Sequence, residues 1–175
     1  MSVKPWAQAL PEFEGRYNFM YLDGGGVVTT GVGHVLFSAT DAVTLFGDPA
    51  AAKEWEDVKA LPPGRLASFY ETMSTVRLTD PQIDQLTAYD MDKTFQDLCR
   101  LHPTSASWPT GPKDAACDIL YNTGSPFPKM FAACDAGDWD TAAKESHRIE
   151  KPSPNGIQPE RNEWAKNAIL SATEA

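Results

Sequence analysis

EGRYNFMYLDGGGVVTTGVGH, residues Glu14–His34, is the segment from which the architecture is read. Tyr17–Leu22 is aromatic and apolar, Asp23–Gly26 has the composition of a turn, and Val27–Thr30 returns with β-branched residues. This order predicts a β-hairpin. Upstream, Trp6, Leu10 and Phe13 recur at helical spacing after Pro5, and Gly15 supplies a stop, so Glu14 falls in the last turn of a short first helix. Pro11 removes one backbone donor inside that helix and predicts a bend, or a restart near Leu10. Gly31 and Gly33 flank Val32 and favour an irregular backbone beside a cleft.

Strand signals end at residue 34. Residues 35–77 are mixed: AAAKEWEDVKAL predicts a helix, Pro62, Pro63 and Gly64 break it, and LASFYETM starts another. Thr79, Asp80 and Pro81 form a helix start, and Ile83, Leu86, Met91, Phe95 and Leu98 extend it as a long helix over 80–100. Pro112 opens a helix whose face is Ala115, Ala116, Ile119 and Leu120, ending before Gly124. Helices over Pro128–Ala136 and Trp139–Ile149, a loop over Lys151–Gln158 and a final helix complete the chain. The reading is α+β: one domain over 1–175, with a small β-containing lobe (14–78), a connecting helix (79–100) and a helical lobe (101–175). The N-terminal helix is expected to pack on the helical lobe, with a cleft between the lobes.

Composition supports a globular chain. Hydrophobic residues make 42% and charged residues 22% of 175, so a core can form without a disulfide framework. The net charge of −9 argues against nucleic acid or anionic membrane as a partner, since both attract clustered Lys and Arg. No run of eighteen apolar residues suggests membrane insertion, and MSVKPWAQAL lacks the apolar core of a secretory signal. The expectation is synthesis in the cytoplasm without a signal peptide. Cys99, Cys117 and Cys134 read as buried thiols, and with His34, His102 and His147 they match no usual ligand spacing, so neither metal nor cofactor is expected. Gly24–Gly26 continues into no phosphate-loop motif and is read as a turn.

Two carboxylates flanking a bond divide the labour of glycoside hydrolysis: one protonates the leaving oxygen, and the other activates water or attacks the sugar. Glu14, at a helix C-terminus beside Phe13, faces the negative dipole end and loses hydration, and both effects favour the protonated acid. Asp23, in an open glycine turn, is expected to stay ionised as base or nucleophile. Thr29 projects from the returning strand and is suited to orient a water.

Glu14–Gly15, Asp23 nine positions after the Glu, Thr29 six further on, and Gly31, Gly33 and His34 together resemble the active-site signature of phage-type lysozymes, glycoside hydrolase family 24. The resemblance implies a lysozyme-like fold and a muramidase cleaving the β-1,4 bond between N-acetylmuramic acid and N-acetylglucosamine in peptidoglycan. It assigns catalysis to Glu14, Asp23 and Thr29, and it favours inversion. It implies substrate contacts at Gly33, Val35, Tyr121 and Asn122, an ion pair of His34 with Asp90, and Arg161 set against Glu14. DWDTAAKESHRI resembles the family's penultimate helix, whereas residues 35–77 match poorly.

The expected partner is a peptidoglycan glycan strand, met in the periplasm or cell wall after release or delivery by another system. An acidic chain with this signature fits a phage endolysin or a delivered antibacterial effector; an effector implies an immunity protein in its producer. A monomer is expected. The competing class is a wall-binding or structural module that keeps the fold without turnover, against which intact Glu14, Asp23 and Thr29 count.

Overall fold

A computed structural model describes residues 3–149 and 159–174. In chain order the elements are α1 (Trp6–Glu14), β1 (Tyr17–Leu22), β2 (Val28–Gly31), β3 (His34–Val35), α2 (Ala39–Phe46), α3 (Ala50–Lys59), α4 (Ala67–Glu71), α5 (Asp80–Leu101), a 3-10 turn at Pro103–Ser107, α6 (Thr110–Thr123), α7 (Pro128–Ala136), α8 (Trp139–Glu145), α9 (Pro159–Leu170) and a closing 3-10 turn at Ser171–Glu174. A mostly helical chain with one small antiparallel sheet is the α+β, lysozyme-like arrangement expected from the sequence.

The first helix runs through Pro11 as one element, because Trp6, Ala9 and Leu10 are buried on its inner side and hold it across the lost donor. The hairpin forms as expected, with Tyr21 opposite Thr29 and Leu22 opposite Val28, and a bulge separates that register from the Tyr17–Gly31 pair. Three elements depart from expectation. The sequence reading ends strands at residue 34, yet β3 pairs Thr29 with Val35 and Thr30 with His34; two residues are too few to show a period. The sequence reading gives no separate helix at Ala39–Phe46, although the caps of α2 are local: Ser38 Oγ accepts the Asp41 N–H at 3.1 Å, and Gly47 closes the helix at φ +67°. Helix α8 stops at Glu145 instead of Ile149, because Arg148 turns inward, where its backbone N–H binds Asn162 Oδ1 at 3.1 Å. The expected 151–158 loop lies outside the described residues.

The chain divides into two compact units, with the boundary inside α5 between Tyr89 and Asp90. The sheet unit, residues 14–89, buries Met20, Leu22, Val28, Leu36, Val58 and Tyr70, with α3 and α4 packed on β1. Each full apolar side chain so removed from water contributes about 1.5–3 kcal/mol before entropy is counted. The start of α5 crowds β2: Gly31 sits at φ +63°, and a β-carbon there would lie 3.3 Å from Leu86 Cδ2.

The sheet unit also buries a carboxylate. Glu54 on α3 is 7% exposed and accepts hydrogen bonds from Ser74 Oγ at 2.7 Å, Thr75 N–H at 2.6 Å, Thr75 Oγ1 and Val76 N–H at 3.1 Å. Burial penalises its charge, and the donors outweigh burial, so its carboxyl is held below the usual range. A lowered folded pKa stabilises above the unfolded value of about 4.3 and loses that stability as pH falls through the folded value. Glu54→Gln is therefore expected to cost about 1–3 kcal/mol at pH 7, with the gap to the parent narrowing below about pH 4. Urea unfolding at pH 7 and pH 3 checks this, and a gap that is unchanged between them contradicts it.

In the helical unit, α6 packs on α9, α7 on α8 and α8 on α9. Its core includes Leu10, Leu98, Ile119, Met130 and Ile169. Gly111 permits the closest approach: a β-carbon there would meet the Ala168 carbonyl oxygen at 2.0 Å. Cys117 and Cys134 are buried free thiols, and burial pushes both up to about 12. Cys99 is half-buried, so the expectation of three buried thiols holds for two.

Candidate active site

Glu14 is the last residue of α1 and is half-buried. Asp23 starts the turn between β1 and β2 and is held by its own backbone frame. Its N–H donates to Val27 O at 3.0 Å, and its carbonyl accepts Gly26 N–H at 3.0 Å. Its Oδ1 accepts the N–H groups of Gly25 at 2.9 Å and Val27 at 2.8 Å. One oxygen is thereby pinned as the acceptor of two backbone N–H groups. Lys59 fixes the far side of the same turn, donating from Nζ to Gly26 O at 2.8 Å.

Thr29 lies in the middle of β2, only 3% exposed, with Oγ1 donating to Val27 O at 3.1 Å. That bond commits the hydroxyl hydrogen and leaves the oxygen as an acceptor. Directly opposite Thr29 stands Tyr21, a residue the sequence reading passed over as part of an apolar strand. Its phenol is pushed up first by burial, then by the charges of Glu14, Tyr17 and Asp23. Both candidate carboxylates thus act on one buried phenol whose cross-strand partner is Thr29. The only sequence signal was its position two residues before Asp23. His34 and Val35, half-buried in β3, pair with Thr30 and Thr29, and Gly33 precedes them.

In the helical unit, Asp90 lies at the middle of α5, and its carbonyl accepts Thr94 Oγ1 at 2.8 Å. Tyr121 and Asn122 are half-buried near the end of α6, with the Tyr121 ring edge-on to Trp6 at 6.0 Å. Arg161, near the start of α9, is 4% exposed. Its guanidinium binds Asp118 through Nη2 at 2.8 Å and Nε at 3.1 Å, and it lies 5.2 Å from the centre of the Phe13 ring. Asp118 is fully buried and also receives Arg148 Nη1 at 2.7 Å and Trp6 Nε1–H at 3.2 Å. One carboxylate therefore ties α1, α6 and α9 together with the Arg148 segment, and the Phe13 that Arg161 covers directly precedes Glu14. Sequence reasoning missed Asp118 and Arg148. The signal for Asp118 was its place between Cys117 and Ile119, since a carboxylate on an apolar face requires a cation; Arg148 gave none.

A cavity of about 880 Å³ between α8 and α9 is bordered by Asp140, Lys144, His147, Glu160 and Lys166 among others, and by none of the expected site residues. Among the described residues no group of three or more His, Cys, Asp or Glu is placed to hold a metal, and no helix is long and apolar enough to cross a membrane. No curated protein matches the chain. The model of the phage lysozyme family matches residues 11–161, which takes in Glu14, Asp23, Thr29 and Arg161, and the chain belongs to that family of peptidoglycan-degrading muramidases.

Proposed function

We propose that this chain hydrolyses the β-1,4 bond between N-acetylmuramic acid and N-acetylglucosamine, with Glu14 as general acid, Asp23 as general base and Thr29 holding the attacking water. The observation that supports the reading is the match to the phage lysozyme family over 11–161, within which Glu14 ends α1, Asp23 is held in the β1–β2 turn by the Gly25 and Val27 N–H groups, and Thr29 stands on the returning strand opposite Tyr21. In this scheme the water donates a hydrogen bond to Thr29 Oγ1, loses a proton to Asp23 and bonds to the anomeric carbon. Glu14 gives its proton to the departing oxygen as the glycosidic bond breaks. Water attack from the face opposite the leaving group inverts the anomeric centre and calls for carboxyl groups about 6.5–9.5 Å apart, against about 5–5.5 Å for retention. In this reading Gly33, Val35, Tyr121 and Asn122 are assigned to the sugars, and His34, Asp90 and Arg161 to supporting roles.

The biological settings that fit are phage release and delivery into a competitor, the latter with an immunity protein, and the enzyme acts as a monomer. The test is digestion of purified peptidoglycan by the unsubstituted chain and by Glu14→Gln, with muropeptides identified by mass spectrometry. The unsubstituted chain is expected to release reducing muropeptides and Glu14→Gln at least about a hundredfold fewer. Absence of release by the unsubstituted chain assigns it to the wall-binding class, and full activity of Glu14→Gln removes the acid from its role. Early product anomers read by NMR separate inversion from retention.

A further inference from the structure

The net charge of −9 opposes adsorption to an anionic wall polymer, so attraction has to be local. Residues 59–77 reverse the balance, holding Lys59, Arg65 and Arg77 against Glu71 alone. This segment is fastened to the Asp23 turn. Lys59 Nζ donates to Gly26 O at 2.8 Å, and a β-carbon on Gly26 would lie 3.5 Å from Pro63 Cβ. The buried Tyr70 donates its hydroxyl to Pro62 O at 2.8 Å, fixing the α3–α4 connection from below. On that rigid base stand exposed apolar side chains: Leu66 at 61%, Met73 at 49% and Phe69 at 39%. The Phe69 N–H bonds to Leu66 O at 2.9 Å, so the two lie one turn apart, and the Arg65 guanidinium sits 5.7 Å from the Phe69 ring centre. Clustered exposed apolar groups with an arginine form the composition of a recognition surface.

We propose that the Arg65, Leu66 and Phe69 surface docks the stem peptide carried by the muramic acid residues of the glycan strand. Stem peptides combine short alkyl side chains with free carboxylates, which match the apolar groups and the guanidinium respectively. The surface continues from the loop that covers Gly26, three residues from Asp23, so a strand held at Asp23 brings its peptides to this wall. The inference rests on the muramidase reading, and it assigns to residues 59–77 recognition of substrate rather than of a second protein.

The test uses chains carrying Glu14→Gln, with and without the added pair Arg65→Ser and Leu66→Ser, sedimented with intact peptidoglycan and with the same material stripped of stem peptides by an amidase. Both added positions are exposed, and an unchanged circular dichroism spectrum establishes the fold; Phe69→Ala serves as a second variant. On intact material the double substitution is expected to weaken apparent binding at least about fivefold, whereas on stripped glycan the two chains bind alike. Equal binding to intact material, or an equal loss on both, overturns the proposal and leaves the surface to another partner. Muropeptide release by the unsubstituted chain is scored alongside. Peptide-dependent binding without release removes the hydrolase reading and keeps the surface, and release without peptide-dependent binding removes the surface alone.

Discussion

Asp23→Asn is expected to abolish turnover by roughly two to four orders of magnitude while leaving the fold and thermal stability close to the parent. The amide keeps an oxygen where Oδ1 now accepts the Gly25 and Val27 N–H groups at 2.9 and 2.8 Å, so the turn survives. What it removes is the carboxylate that, in the proposed mechanism, takes the proton of the attacking water. Asp23→Ala, by contrast, deletes both the charge and the acceptor and is expected to loosen the turn as well, lowering the melting temperature. Comparing the two separates chemistry from scaffold. Rates are read as muropeptide release at saturating peptidoglycan, beside a thermal melt of each variant. Near-normal release by a folded Asp23→Asn chain would remove Asp23 from the base role.

The largest stability effect is expected at Asp118. Its carboxylate is fully buried and shared by Arg148 at 2.7 Å and Arg161 at 2.8 Å. Removing one member of a buried ionic group leaves desolvated charge behind, at a cost of about 3–5 kcal/mol. Asp118→Ala is therefore expected to lower the melting temperature by on the order of 10 °C for a chain of this length. The loss should exceed that of Lys53→Ala, whose pair with Asp57 is exposed and contributes about 0.3–0.5 kcal/mol. Urea unfolding of both variants checks the ranking; a loss under about 1 kcal/mol at Asp118 contradicts the account. Because Asp118 also accepts Trp6 Nε1–H and holds Arg161 over Phe13, its loss is expected to loosen the helix that carries Glu14.

Much of the architecture was legible locally. The hairpin followed from an apolar run, a glycine turn and a β-branched return, and the expected helix over Pro128–Ala136 is α7. These signals are local because caps, turns and periodic faces act over a few residues. What was missed depended on distant partners. Strand β3 exists because Thr29 and Thr30 are already aligned to receive it. Helix α8 ends early because Arg148 is drawn to Asp118, thirty positions away in sequence. Residues 35–77 had no reading as a unit until α3 and α4 were seen packed on β1, with Glu54 capping the Ser74–Val76 backbone.

The same division holds for the site. Glu14, Asp23 and Thr29 stand out in the linear chain, since a helix end, a tight turn and a strand can be read from residue order, and all three lie within the family match over 11–161. Residue order holds no information about what surrounds them. Tyr21 stands beside these candidates only because the strands pair and set its buried side chain opposite Thr29. Asp118 became the tie between α1 and α9 only when burial removed water from one carboxylate and two guanidiniums at once. The chain order of Glu14–His34 was enough for the family and its candidate chemistry. Packing alone settled which groups lose their water and which hydrogen bonds hold them, because desolvation is a property of neighbours and not of sequence position.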